Sequence, residues 1–241
     1  MTRIGPLELG ETPAIVAAVT DRDLSGDCAG WAGLADVIEL RVDAFTRPAV
    51  AHAEAVCRSA RALGKPLLGT VRWSAEGGEA ELSDPERLAL YTAIAPLVDG
   101  LDVELRAPLR DTVVALARRC GALAMVSYHD FTTAPPTAAL EVALADGRHA
   151  DVVKIAVTTA DTRDLARLAD LLPRTGDPPR VVIAMGRAGM ASRVFFPLLG
   201  SVLTYGFAGT PTAPGQLPLG ELYDELRRYS PRFADTHPPR A

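Results

Sequence analysis

Asp151-Val152-Val153-Lys154-Ile155-Ala156-Val157 is the stretch from which the rest of the sequence can be read. β-Branched and apolar residues fill it, a turn-rich segment precedes it, and a Thr/Asp group suited to starting a helix follows. The run is therefore predicted to be a buried strand. A lysine stands in its middle. Only Lys65 and Lys154 are lysines among the 25 basic residues of the sequence; the remainder are arginine. A desolvated lysine can lose its proton and attack a carbonyl carbon, which a guanidinium cannot. The plainer reading is a strand-end lysine whose amine reaches out to water. The strand alone leaves both readings open, because ionisable groups flanked by apolar strand residues are uncommon unless paired or functional.

At 241 residues the chain is long enough for one large α/β domain or two small ones. Its hydrophobic content is 48% with only 5% aromatic residues, so the core must be built of Ala, Val, Leu and Ile. That composition suits helices layered on a parallel sheet. The net charge of −5 argues against nucleic acid as a partner, while the abundance of arginine leaves local anion sites available for a small acidic substrate. No apolar run reaches membrane-span length and no basic-then-apolar leader opens the chain, so a cytoplasmic protein without a membrane anchor is expected. Cys28, Cys57 and Cys120 are odd in number, widely spaced and lack CxxC pairing. They read as small buried hydrophobes in a reducing compartment, and no metal site is expected.

Working outward from the lysine strand, further apolar runs recur: Ala14–Val19, Val37–Val42, Pro66–Val71, Gly100–Leu105, Ala122–Tyr128, Arg180–Met185 and Ser201–Phe207. Helical patterns lie between them. Ser83-Asp84-Pro85-Glu86 places a cap and an early proline before Leu88, Leu90 and Ile94. Thr158–Asp161 precedes Leu165, Leu168, Leu171 and Leu172, and Pro218–Tyr229 forms an amphipathic close. Arg47–Leu63 and Ala107–Cys120 are alanine-rich with periodic apolar positions. Eight strands alternating with helices predict a single-domain (β/α)8 TIM barrel of the α/β class over residues 1–230, followed by a frayed tail at 231–241. A doubly wound open sheet is the competing architecture, weakened because no GxGxxG follows the first strand.

In such a barrel, polar residues at the C-terminal strand ends share one rim. Alternation puts Glu39, Arg41 and Asp43 on one side of their strand. Arg72 ends the third strand before a loop carrying Glu76-Gly77-Gly78, and Asp102 and Glu104 end the fourth. His129 ends the fifth, Lys154 lies in the sixth, Arg193 follows the seventh, and Thr212 to Gln216 lie beyond the eighth. Asp43, Asp102 and Asp130 taken singly read as ordinary polar strand ends. The types present suit carbonyl chemistry: an amine forms an iminium, an imidazole moves protons, a carboxylate fixes its tautomer, and an arginine grips a carboxylate. His52 and His149 fall on predicted helices and His237 in the tail, so these three read as structural or surface groups.

Glu39–Asp43, Thr70-Val71-Arg72 with Glu76-Gly77-Gly78, Ser127–Phe131, Val153–Ala156, Met185-Gly186 through Ser192-Arg193, and Ala213–Gln216 occur in an order and spacing that resembles the type I 3-dehydroquinate dehydratases. The resemblance implies a (β/α)8 barrel, a homodimer, no cofactor and no metal, and syn dehydration of 3-dehydroquinate, a carboxylated cyclic ketone, to 3-dehydroshikimate through a Schiff base. By position it implies Lys154 as the imine-forming lysine, His129 as general acid/base and Glu76 as the carboxylate that orients it. Arg193 is implied as the carboxylate-holding arginine, with Gln216 and Thr212 on the closing loop. Glu39, Arg41 and Arg72 are implied as pocket residues that bind ring hydroxyls. Thr212 stands where the family commonly has serine, and Ala17-Ala18-Val19 ends the first strand where many members carry a serine. A class I aldolase on the same barrel, and a non-catalytic dehydroquinate- or quinate-sensing barrel, are the alternatives; the His129, Glu76, Arg193 and Gln216 set weighs against the first, and an intact Lys154 and His129 against the second.

Overall fold

Each apolar run turns alternate residues to opposite faces, and that alternation builds two separate cores. The computed structural model describes residues 1–173 and 178–240. Its principal strands are β1 (Ala14–Val19), β2 (Val37–Arg41), β3 (Leu67–Thr70), β4 (Gly100–Glu104), β5 (Leu123–Asp130), β6 (Val152–Thr158), β7 (Arg180–Met185) and β8 (Leu203–Phe207). From β1 to β7 each pairs in parallel with the next, and β8 returns to pair with β1, Tyr205 lying opposite Val16. Between β7 and β8 the Val202 N–H donates to the Arg180 carbonyl at 3.0 Å, and the Val182 N–H donates to Ser201 Oγ at 3.1 Å. The sheet curls on itself as a (β/α)8 barrel in a single domain. Ile15, Ile38, Leu40, Val103 and Ile155 face the helices, whereas Val16, Val37, Leu68, Met125 and Val181 fill the interior.

The bottom of the barrel is plugged. A short hairpin pairs Arg3–Ile4 with Leu7–Glu8 and sends Ile4 and Leu9 into the inner core. Gly100 admits this plug, since a Cβ there would lie 3.1 Å from Ile4 Cδ1 and 3.0 Å from Leu68 Cδ1. The helix signals are realised as read. Ser83 and Glu86 form a capping box on helix Asp84–Ile94, and Asp161 caps helix Thr162–Ala169. Leu171 and Leu172 lie past that helix end yet remain buried.

Three expectations need correction. The tail is not frayed: Pro231–Thr236 is a helix, Phe233 is fully buried, and His237 stacks on Phe233 and bonds Asp36 at 2.9 Å (residue 241 lies outside the described residues). Pro231 stands in the first turn, where proline is tolerated, and Ser230 caps the helix by accepting the Phe233 N–H at 3.2 Å. Of the cysteines only Cys57 is buried; Cys28 is intermediate and Cys120 exposed, since the last sits at a helix C-cap. His149 lies in the turn after helix Thr137–Gly147, while His52 is a satisfied group bonded to Asp21 at 2.8 Å. Among the described residues no helix is long and apolar enough to cross a membrane.

Candidate active site

Inward-facing residues change character along the strands. Val37, Leu68, Gly100, Met125 and Val152 occupy the lower barrel; Glu39, Thr70, Asp102, Ser127 and Lys154 follow two positions later, and Arg41, Arg72, Glu104 and His129 two beyond that. All nine residues predicted from sequence (Glu39, Arg41, Arg72, Glu76, His129, Lys154, Arg193, Thr212 and Gln216) line a single cavity at the barrel mouth.

Lys154 is only 4% exposed, so its amine does not reach out to water. Nζ lies 3.1 Å from Asp102 Oδ2 and 4.3 Å from the centre of the Tyr205 ring. Asp102 was expected to be an ordinary strand end, and it is instead the buried hub of the site. It accepts from Arg72 Nη2 at 3.0 Å and from Ser127 Oγ. Burial opposes its ionisation, but the Arg72 and Lys154 charges outweigh burial and hold its carboxyl well below the usual carboxylate range. Arg72 also donates to Glu104 at 2.8 Å, and Glu104 accepts from Arg87 on helix Asp84–Ile94. Charges of alternating sign thus run from the outer helix to the lysine amine.

Asp43 likewise departs from the bland reading. It takes both arms of Arg41, at 3.0 and 2.8 Å, and the backbone N–H of Arg72 at 3.1 Å. Arg41 and Arg72 are therefore held by carboxylates of the protein. Asp130 does behave as a turn former, accepting from Thr132 and Thr133. Glu39 accepts from Thr70 Oγ1 at 2.7 Å.

His129 points Nδ1 at Glu76 Oε2, 3.2 Å away, and that oxygen also accepts the His129 backbone N–H at 2.8 Å. A carboxylate can only accept, so Nδ1 carries the proton and Nε2 the lone pair. Burial, reinforced by the Arg72 and Lys154 charges, pushes the imidazole well below its ordinary 6.5. Burial pushes the Glu76 carboxyl up, against Arg106, whose Nε donates to Oε1 at 2.9 Å. Gly77 and Gly78 make this turn possible. Gly77 has φ +84° with Phe131 against it, and a Cβ at Gly78 would lie 2.2 Å from the Arg72 carbonyl oxygen.

Arg193 is 2% exposed, and its Nε has no hydrogen-bond partner among the described residues. Nη2 donates to the Pro214 carbonyl at 3.3 Å. Burial without a facing carboxylate lowers its pKa to about 10. A buried cation with an unused donor is a seat for an anion. Above it, Gln216 Oε1 accepts from the Thr212 and Ala213 N–H groups at 2.7 and 3.2 Å, folding residues 212–216 over the cavity.

Sequence reasoning placed Asp102, Glu104 and Ser127 at strand ends without giving them a role in the site, and it passed over Tyr205 and Arg106. For the first four, the two-residue alternation that singled out Glu39 and Arg41 was an available signal. Arg106 had none.

The profile of the type I 3-dehydroquinase family matches residues 15–230. The chain belongs to the type I 3-dehydroquinase family. It is 37% identical to the 3-dehydroquinate dehydratase of Methanothrix thermoacetophila over 90% of this chain and 92% of the relative. Among solved structures it superposes on 3-dehydroquinate dehydratase from Geobacillus kaustophilus with a TM-score of 0.84 at 26% identity, covering 95% of this chain and 96% of that one. The type I enzyme of Clostridium difficile matches with a TM-score of 0.82 at 29% identity, covering 94% and 96%. Membership in the type I 3-dehydroquinase family makes this chain a dehydratase, a carbon–oxygen lyase acting on a small molecule, and displaces the aldolase and sensor readings.

Proposed function

We propose that the chain dehydrates 3-dehydroquinate to 3-dehydroshikimate through an imine on Lys154, with His129 as the proton carrier. The observation that carries this reading is an amine buried inside the barrel, bordering the same cavity as an imidazole kept neutral by its surroundings. The Clostridium difficile relative was solved with covalently modified comenic acid, which supports a covalent route in this family.

The sequence of steps follows from the residue chemistry. The deprotonated amine attacks the ketone carbon, and loss of water leaves an iminium. Asp102, 3.1 Å from Nζ, faces that cation as it faced the ammonium, so the counter-charge needs no rearrangement. The iminium draws electrons from the adjacent carbon, whose proton passes to Nε2 of His129. The resulting enamine expels the hydroxyl on the next carbon, and His129 returns the proton so that water leaves. Hydrolysis of the conjugated iminium frees the enone and restores the amine.

Glu76 holds the histidine tautomer through Nδ1. Arg193 takes the substrate carboxylate on the donor that has no partner among the described residues, and Gln216 and Thr212 close over it. Glu39, Arg41 and Arg72 shape the wall that meets the ring hydroxyls, the two arginines already oriented by Asp43, Asp102 and Glu104. Ultraviolet absorbance of the conjugated product tests the reading. Wild-type protein is expected to turn over, and Lys154→Ala to lose at least about 10^4-fold in kcat with an unchanged circular dichroism spectrum. A folded Lys154→Ala protein that keeps a tenth or more of the rate contradicts the proposal.

A further inference from the structure

Glu76 divides its two oxygens between two partners. Oε2 serves the backbone N–H and Nδ1 of His129, while Oε1 accepts from Arg106 Nε at 2.9 Å. The same guanidinium donates through Nη2 to the His129 carbonyl at 3.2 Å and lies 4.7 Å from the centre of the Tyr128 ring. Arg106 comes from the loop after β4, Glu76 from the turn after β3, and His129 from β5. One cation ties three strand ends together. Its side chain is half exposed and stands outside the cavity lining, so it meets the site through Glu76 and the His129 backbone.

We infer that Arg106 is a positioning residue for proton transfer, fixing the Glu76 carboxylate, and through it the ring of His129, from outside the cavity. The inference rests on His129 being the acid/base and Glu76 its orienter. An exposed arginine paired to an exposed carboxylate contributes little. Here the carboxylate is buried, and removing its cation leaves Oε1 without a donor in a site that disfavours the ionised form. A protonated or rotated Glu76 no longer accepts both His129 N–H groups, and the imidazole loses its single tautomer. The Tyr128 ring and the His129 carbonyl hold the guanidinium plane, which an ammonium cannot reproduce.

The test measures kcat, KM and borohydride trapping at Lys154 for Arg106→Ala and Arg106→Lys, with either Glu or Gln at position 76. Arg106→Ala is expected to lower kcat on the order of ten- to a hundred-fold, as loss of a group that orients a catalytic histidine does. KM should stay within about threefold and the trapped imine should persist, because neither depends on the proton carrier. Arg106→Lys should recover part of the rate. In Glu76→Gln, the further change Arg106→Ala should cost nothing. An unchanged kcat in Arg106→Ala, alongside a slow Glu76→Gln, overturns the inference and leaves the mechanism standing. An equal loss from Arg106→Ala in both backgrounds overturns it too. Normal turnover in Glu76→Gln would instead remove the role of Glu76, and the inference with it.

Discussion

An imidazole enclosed among cations binds a proton less readily than one in water, and His129 is in that position. Burial and the charges of Arg72 and Lys154 act in the same direction, against the opposing charge of Asp102. The ring is therefore neutral at neutral pH, as the proposed role of a base requires. In the unfolded chain it ionises near its ordinary 6.5, so just below that pH the unfolded state binds more protons than the folded one. The stability associated with the neutral ring is present above that value and is lost as the pH falls. A nuclear magnetic resonance titration of the labelled imidazole should give a midpoint below 6.5, with kcat/KM falling on acidification as the ring is protonated. A midpoint at or above 6.5 contradicts the assignment. Asp102 shows why part of this site was not legible. An aspartate near a strand end is commonplace, and its role depends on Arg72 and Lys154, which lie 30 and 52 positions away in sequence.

Elements were more legible than pairings. Strands β1 and β7 span the same residues as the apolar runs that predicted them, because a buried parallel strand must be apolar on its helix-facing side throughout. The capping box on helix Asp84–Ile94 was equally visible. The N-terminal hairpin was not, since two residues per strand are too few to establish a period. The loop over the cavity shows how one backbone position governs an element. Gly215 has φ +75°, and a Cβ there would lie 2.5 Å from the Gly186 carbonyl oxygen. The Gly186 N–H donates to the Pro214 carbonyl at 3.2 Å, so the loop is seated on the end of β7. Left-handed backbone costs a residue with a Cβ roughly 1–2 kcal/mol, and the clash adds to it. Gly215→Ala should therefore raise KM on the order of tenfold while leaving the far-ultraviolet spectrum intact. An unchanged KM would show that the loop does not participate in binding.

At the scale of the molecule, the barrel is what makes scattered residues into a site. Lys154, His129, Glu76 and Arg193 come from or follow different strands, and closure of the sheet brings all four around one cavity. Their convergence was legible because charges at alternate positions of otherwise apolar strands have no place to go but the barrel mouth. The C-terminal clasp of Phe233, His237 and Asp36 was not, because its short sequence carries no periodic pattern. The central claim is that the enclosed amine condenses with a ketone, and its most direct test is borohydride reduction in the presence of 3-dehydroquinate followed by peptide mass mapping. Hydride addition to an iminium leaves a stable secondary amine, and Lys65, the second lysine of the sequence, serves as an internal control. The adduct is expected on the peptide containing Lys154 and absent from that containing Lys65. Turnover without any trapped adduct, or an adduct on Lys65 alone, would contradict the mechanism.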